Sequence, residues 1–425
     1  MEGESTYRAV QAVAPGRLEL VRKPIRDPGP GEVRIRIEAC GVCHSDSATV
    51  EGVLPIEWPR VPGHEAVGRI DVIAEGVEGW AVGQRVGVGF LGGSCGHCEY
   101  CRDGDLVNCM NQGYTGVQHD GGYAEVMIAK SSGLIAVPDD LSSVDAAPLL
   151  CAGLTTFSAL RNSPARAGDL VAVFGVGGLG HLGVQYARRM GFEVVAIDRG
   201  DDRAELSKKL GAHHYIDSSA TDIAKALQAL GGAQVVLATA SGGKAVAAAL
   251  GGLRRGGVVI SLGATDEPIE LSAFDLLFRQ LGVDGALTGT PAAGDATLRF
   301  SAMSDVAAMI ETMPLERAAE AYARMMSARR ASGWSLQWTR AAYWQSRNMR
   351  QKDERRFSTS TRILDRGMHV RGSPLHDRRK AARRRPLSLQ SVPAAIRERV
   401  LDGHLHPPQR INDHRRDGGL RRHRD

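Results

Sequence analysis

A chain of 425 residues, 43% apolar and 24% charged, has the balance of a folded protein with room for two or three domains. No run approaches the roughly 18 apolar residues of a membrane span, and residues 1–13 carry neither the basic segment nor the apolar core of a secretion signal, so the sequence reads as cytoplasmic. The net charge of +5 hides a division: residues 328–425 hold 25 Lys and Arg against 9 Asp and Glu (+16), while the 327 residues before them carry −11.

Residues 7 to about 150 read as short β segments punctuated by Gly and Pro. Val33, Ile35 and Ile37 alternate with Arg34 and Arg36, the period of a half-buried strand. Residues 83–88 look like a turn feeding another strand. These features predict an all-β, barrel-like first domain. From about Leu154 the pattern becomes strand, helix, strand. Residues 170–174 are fully apolar, and Leu179, Leu182, Tyr186 and Met190 follow near helical spacing. Residues 193–197 form the next strand, ending at Asp198, and residues 234–237 and 258–262 repeat the theme. This alternation predicts an α/β unit with a doubly wound parallel sheet. Beyond Met326 the periodicity fails and Arg far outnumbers Lys, which predicts a largely disordered, basic tail over 328–425. Its clusters Arg378-Arg379-Lys380 and Arg383-Arg384-Arg385 suit nucleic acid electrostatically, but a solvated charge run is the plainer expectation.

Three constellations carry chemistry. All seven cysteines lie between Cys40 and Cys151. Cys95-x2-Cys98-x2-Cys101-x7-Cys109 suits a closed tetrahedral zinc, a staple with no open position. The rival is an iron–sulfur cluster, whose ferredoxin-type run needs its fourth Cys after three residues, then Pro; here the gap is seven and Met110 follows. The second constellation is Gly175-Val176-Gly177-Gly178-Leu179-Gly180, which leaves an apolar strand and opens a helix. Such a turn lets the backbone approach a pyrophosphate at the helix N-terminus. Asp198, about 20 residues on, stands where a carboxylate receives the adenosine ribose hydroxyls, favouring NAD over NADP, with Arg199 and Arg203 close enough to soften that preference. The third is dispersed: Cys43-His44-Ser45-Asp46, Gly63-His64-Glu65 and Cys151-Ala152-Gly153 contain an open three-ligand set, though no local spacing brings them together.

In order and spacing, the motifs GVCHSD, VPGHE, the four-cysteine lobe, CAGLTTF and GVGGLG resemble those of the zinc-dependent medium-chain alcohol dehydrogenases, most closely the bacterial and yeast type. The resemblance covers residues 7 to about 327. It implies a GroES-like β-barrel catalytic domain over 1–153, with 288–327 returning to it, and a Rossmann domain over 154–287. It implies two zinc ions per chain, one catalytic on Cys43, His64 and Cys151, the other structural on Cys95, Cys98, Cys101 and Cys109. Glu65 matches a carboxylate beside the catalytic metal and Asp46 an acid that orients the ligand His. Cys40 matches no ligand and is expected to be a buried small side chain. NAD falls to Gly175, Gly177, Gly178, Leu179, Gly180, Asp198 and Arg203, with Thr155 beneath the nicotinamide and His44 at the pyrophosphate. Ser45 matches the hydroxyl that takes the alcohol proton, while Phe90 and Trp58 match pocket positions. The implied reaction is reversible hydride transfer from a primary alcohol to NAD, giving the aldehyde, with aromatic, secondary or polyol substrates as alternatives and a homodimer or homotetramer as the assembly. Ala48 departs from the family, which often has a His at the outer end of its proton relay; a relay ending in water is the expected substitute.

The tail departs further. Relatives continue past Met-Met-Ser with a strand resembling Gly-Lys-Ala-Arg-Phe-Arg-Met-Val. Here the chain reads Ala328-Arg329-Arg330-Ala331-Ser332-Gly333-Trp334. One permitted codon set, GCA AGG CGC GCT TCC GGA TGG, regroups behind one added G as GGC AAG GCG CGC TTC CGG ATG G. That spells Gly-Lys-Ala-Arg-Phe-Arg-Met. Together with the Arg excess, it predicts a frame shift near codon 328, loss of a strand that closes the catalytic domain and of an Arg matching a pyrophosphate contact, and a weakened enzyme, with a pseudoenzyme as the extreme.

Overall fold

The structure is a computed structural model and describes residues 5–240, 242–327 and the strand at 335–339. Its first part is mostly β: β1 (Thr6–Ala14), β2 (Arg17–Pro24), β3 (Glu32–Val42), a short helix α1 (Ser47–Val50), β4 (Ala66–Ile73), β5 (Arg85–Val88), α2 (Glu99–Arg102), β6 (Val126–Lys130), β7 (Leu134–Ala136) and α3 (Ser143–Ala146). β1 and β2 form an antiparallel hairpin. β3 is the pivot of the larger sheet. β4 runs antiparallel along it, while β6 pairs with residues from Glu32 to Arg36. Its alternation does what the sequence suggests: Val33, Ile35 and Ile37 are buried.

Next come α4 (Ala152–Arg161), β8 (Leu170–Phe174), α5 (Gly180–Arg189), β9 (Glu193–Asp198), α6 (Ala204–Leu210), β10 (His214–Asp217), α7 (Ile223–Ala229), β11 (Ala233–Ala238), α8 (Gly243–Gly251), β12 (Leu253–Ser261), α9 (Ala273–Arg279), β13 (Gly282–Gly285) and α10 (Pro291–Ser304). The six strands pair in parallel in the order β10-β9-β8-β11-β12-β13. The order reverses between β8 and β11, and the glycine-rich turn leaves β8 at that switch point, where such sheets bind ligands. The chain then returns to the β part through β14 (Ile310–Thr312) and α11 (Ala318–Ser327). One apolar core is continuous across both parts: Ala39, Val67 and Leu150 pack in the same cluster as Leu154 and Phe157 of α4, Val173, Leu182 and Leu298.

One expectation is corrected. The tail was expected to be largely disordered and the strand closing the catalytic domain to be lost, but residues 335–339 form a strand, β15 (Ser335–Thr339). It runs antiparallel to the end of β3, Leu336 opposite Val42 and Thr339 opposite Ala39, and parallel to β14. The physical reason lies in the sheet: between β14 and β3 two edges present unpaired N–H and C=O groups, and an extended segment satisfies both rows. The frame-shift segment 328–334 and the Arg clusters lie outside the described residues. Among those described, no single helix is long and apolar enough to cross a membrane.

α5 also ties down the returning chain. His181, 1% exposed, donates from Nδ1 to Gly177 O (3.0 Å) and accepts the Met309 N–H at Nε2 (3.2 Å). One turn on, Gln185 holds Ala307 from both sides, donating to its carbonyl (3.0 Å) and accepting its N–H (3.3 Å). Burial lowers the His181 pKa, as a ring nitrogen that accepts requires. The unfolded chain therefore binds more protons than the folded one below the ordinary imidazole value of about 6.5. Stability contributed by neutral His181 is complete above that pH and is lost as pH falls from there through its lowered folded value. In thermal melts from pH 7.5 to 5.5, His181→Gln, which does not titrate, is expected to flatten the fall in midpoint seen for the unaltered protein. Parallel curves would remove His181 as the titrating group.

Candidate active site

β3 delivers Cys43 immediately past its end, and the chain tightens into a 3-10 turn, His44–Asp46. The turn folds the Asp46 carboxylate back so that Oδ2 accepts the Cys43 N–H (2.9 Å), while Oδ1 lies 2.9 Å from His64 Nδ1. Asp46 and His64 are both buried. With Nδ1 donating to Asp46, the lone pair of His64 sits on Nε2, a buried atom with no hydrogen-bond partner. Glu65 Oε2 is likewise buried and unpartnered. Cys151 arrives from the other side as the residue that caps α4, its Sγ 3.8 Å from that of Cys43. Ligand atoms of Cys43, His64, Glu65 and Cys151 all lie within 4.8 Å of one another.

The electrostatics of this cluster call for a cation. The hydrogen bond from Cys151 holds the Cys43 thiol well below the usual thiol range, and the same bond, with burial, pushes Cys151 well up. Burial opposes an imidazolium at His64, yet Asp46 and Cys43 outweigh it and raise the pKa. Burial and then the Cys43 charge push Glu65 up. Thiols, an imidazole lone pair and carboxylates gathered without solvent are costly unless a positive charge joins them. Two soft sulfurs, one imidazole and an adjacent carboxylate form a donor set suited to zinc.

The four clustered cysteines form a second set, on the lobe around α2. Their ligand atoms also lie within 4.8 Å of one another, with Cys95 Sγ and Cys101 Sγ 3.9 Å apart. Backbone N–H groups aim at the sulfurs, Cys98 at Cys95 Sγ and Cys95 at Cys109 Sγ, both 3.4 Å. Hydrogen bonding from Asn111 and nearby backbone lowers the Cys95 pKa to about 5, and desolvation raises that of Cys101 to about 12. Four sulfurs with no imidazole and no open carboxylate fit a closed site.

The glycine-rich turn is shaped for a ligand. A Cβ on Gly177 or Gly178 would meet nothing within 4 Å, so bare backbone faces open space. At Gly180 a Cβ would fall 1.7 Å from Gly175 O, so only glycine lets α5 start this close to the turn. Leu179 is the N-cap of that helix. Asp198 ends β9 beside them, its Oδ2 accepting Val176 N–H (2.8 Å) and its Oδ1 accepting Arg199 N–H (2.7 Å). Arg203 donates to Val176 O (2.6 Å) and lies 3.6 Å from the same carboxylate.

The remaining expected residues fall as follows. His44 and Ser45 are exposed on the turn after Cys43, and Ala48 is buried in α1. Thr155, 4% exposed, donates its N–H to Cys151 O (2.8 Å), one turn into α4. Phe90 stands edge-on to His64, centroids 5.2 Å apart, and stacks on Tyr114 at 4.7 Å. Trp58 is tied to α1 through its indole N–H on Thr49 O (3.1 Å). Cys40 is fully buried. Sequence reasoning missed Tyr123, whose hydroxyl donates to Asp46 Oδ2 (2.7 Å). The available signal was faint: an aromatic directly after the pair Gly121-Gly122.

Comparisons with known proteins identify the family. Residues 29–139 fit the alcohol dehydrogenase GroES-like domain, and residues 178–305 fit the zinc-binding dehydrogenase family. An alcohol dehydrogenase, notN, of Aspergillus sp. is 41% identical over 304 residues, 72% of this chain and 89% of its own length. An alcohol dehydrogenase of Geobacillus stearothermophilus is 40% identical over 299 residues, covering 70% and 89%. Among solved structures, acetophenone reductase from Geotrichum candidum in complex with NAD superposes with a TM-score of 0.70 at 28% identity, over 80% of this chain and 98% of its own.

Proposed function

Because the chain belongs to the zinc-dependent medium-chain alcohol dehydrogenases, we propose that it reversibly oxidises a primary alcohol to the aldehyde, with NAD as hydride acceptor. The observation that carries this reading is the pair of unpartnered buried atoms, His64 Nε2 and Glu65 Oε2, beside the sulfurs of Cys43 and Cys151. We assign Cys43, His64 and Cys151 as ligands of a catalytic zinc, and Cys95, Cys98, Cys101 and Cys109 as ligands of a structural one. When bound, the catalytic zinc supplies Lewis acidity that lowers the proton affinity of an alcohol oxygen.

The chain's own groups do the rest. Asp46 holds the His64 ring by its Nδ1–H, and Glu65 lies within reach of the same centre. Ser45 takes the alcohol proton and, with Ala48 in place of an imidazole, passes it to solvent from its exposed turn. Phe90 walls the pocket beside His64, with Trp58 further out. Thr155 lies beneath the nicotinamide, and His44 contacts the pyrophosphate, which sits on the bare backbone of Gly175, Gly177, Gly178 and Gly180 and on the helix start at Leu179. Asp198 takes the ribose hydroxyls and Arg203 closes that side. Residues 1–153 and 288–327 then make the catalytic domain, and residues 154–287 the cofactor domain. The exposed apolar residues Phe274, Leu277 and Phe278 of α9, near the edge strand β13, support a homo-oligomer, dimer or tetramer. The stacked Phe90–Tyr114 pair favours, as second reading, an aromatic alcohol.

Initial rates over primary, secondary, aromatic and polyol alcohols, each with NAD and NADP, test the reading. A primary alcohol with NAD is expected to be turned over fastest. Asp198→Ala is expected to weaken NAD by about 10- to 150-fold, the worth of a charge-assisted hydrogen bond, and to improve the relative use of NADP. A cofactor ratio that does not move means the carboxylate does not hold the ribose.

A further inference from the structure

Tyr123 is fully buried, and its phenol oxygen is a polar atom that needs a reason to be there. Its hydroxyl donates to Asp46 Oδ2 at 2.7 Å. That oxygen also accepts the Cys43 N–H, and the other carboxylate oxygen lies 2.9 Å from His64 Nδ1. Asp46 is thus held by donors from three separate segments, two of which carry the sulfur and the imidazole of the cluster.

The backbone is arranged to bring the third one in. Tyr123 N–H donates to Pro62 O (3.0 Å) and Gly122 N–H to Gly63 O (2.8 Å), which zips the tyrosine's segment to the residues just before His64. On the other side, Val10 N–H donates to Tyr123 O (2.8 Å). The ring lies against Gly63, where a Cβ would approach Tyr123 Cδ1 to 2.3 Å and where φ is +99°. Gly63 therefore makes the room that Tyr123 fills, one residue from His64. Burial and then the Asp46 charge raise the phenol pKa, keeping it an O–H donor.

We propose that Tyr123 is a positioning residue: its hydroxyl fixes the Asp46 carboxylate and, through it, the aim of the His64 lone pair at the metal. This rests on the catalytic-zinc assignment above. A hydroxyl that only filled core would have no selective effect on one metal site. Removing this hold on the carboxylate that orients the ligand His is expected to lose about 10- to 100-fold in metal affinity, on the order of what such partners contribute elsewhere.

The test uses the full-length protein as isolated, its metals titrated out with a chromophoric zinc chelator. In Tyr123→Phe the metal at Cys43, His64 and Cys151 is expected to bind about 10- to 100-fold more weakly, while the four-cysteine metal and the melting temperature hold. Cobalt exchanged into the weakened site is expected to show a shifted visible spectrum. In an Asp46→Asn background, adding Tyr123→Phe is expected to cost little more, since both changes cut one chain of contacts. Unchanged metal affinity in Tyr123→Phe, equal weakening of both metals, or full additivity with Asp46→Asn each overturns the role. If the unaltered protein holds metal only at the four cysteines, the catalytic-zinc assignment falls and takes this proposal with it. If it holds two and Tyr123→Phe changes neither, only the proposal falls.

Discussion

Cys43→Ser is expected to leave the protein folded with one zinc per chain and to reduce turnover by at least about 10³-fold, roughly 4 kcal/mol of lost transition-state stabilisation. A serine hydroxyl does not ionise in the range where a thiol can, and it is a poor partner for a soft cation. The buried imidazole and carboxylate would then face each other without enough positive charge to hold them. Cys98→Ser is expected to act differently. The lobe around α2 has little packed core of its own, no residue of that helix being buried, so its staple supplies folding energy directly. A lowered melting temperature with a retained catalytic metal is the expected signature. Metal analysis separates the cases: two zinc ions in the unaltered chain, one in each variant. One metal in the unaltered chain, or iron at the four cysteines, sinks the assignment.

Truncation after Ser327 is expected to have the next largest effect. β15 supplies the partner for β3 over Ala39–Val42, and Cys43 follows at once. Without it, an unsatisfied strand edge ends at Cys43, the proposed metal ligand. Each ladder bond contributes about 0.5–1.5 kcal/mol, so a fall of several degrees in melting temperature and a looser metal at Cys43 are expected. A chain ending after Thr339 keeps the strand and is expected to keep both. Restoring the frame at codon 328 to the family's Gly-Lys-Ala-Arg-Phe-Arg-Met ending adds the Arg that matches a pyrophosphate contact, worth about 10- to 150-fold in NAD affinity at the strength of a charge-assisted bond. Thermal melts with metal analysis read the first effect across these four chains, and fluorescence titration with NAD reads the second. Equal NAD affinity in the chain as written and in the restored chain would remove the energetic case for a frame shift, and a coding DNA in which no one-base change yields that ending would remove the shift itself.

The parts of this architecture that were legible beforehand share one property: their signals are local. The run Leu170–Phe174, the glycine spacing after it and the acid ending β9 all fall within 30 residues, so period and turn chemistry report them directly. The four cysteines likewise lie within 15. Cys43 and Cys151 are 108 residues apart, and only the fold brings their sulfurs to 3.8 Å; no spacing rule reaches that far. Tyr123 was invisible for the same reason, since its partner Asp46 lies 77 residues back. β15 was missed because its conformation is imposed by two waiting strand edges, a case of tertiary context overriding a weak local pattern.

The placement of α4 bears on how such a chain can be recombined. Cys151 caps this helix, Thr155 lies one turn in, and Leu154, Phe157 and Leu160 pack in a core that includes both Val67 of the barrel sheet and Val173 of the parallel sheet. A chimera that swaps the parallel-sheet half by cutting at 153/154 would sever the helix in its first turn, parting Cys151, the proposed metal ligand, from the residues that seat it. A graft joined instead in the loop after Arg161 inherits the helix whole. Its second junction, ahead of α10, must then preserve the buried hydroxyl pair of Tyr186 and Ser301 (2.7 Å), so a donor would be chosen first for compatibility at that seam and only then for the cofactor it prefers.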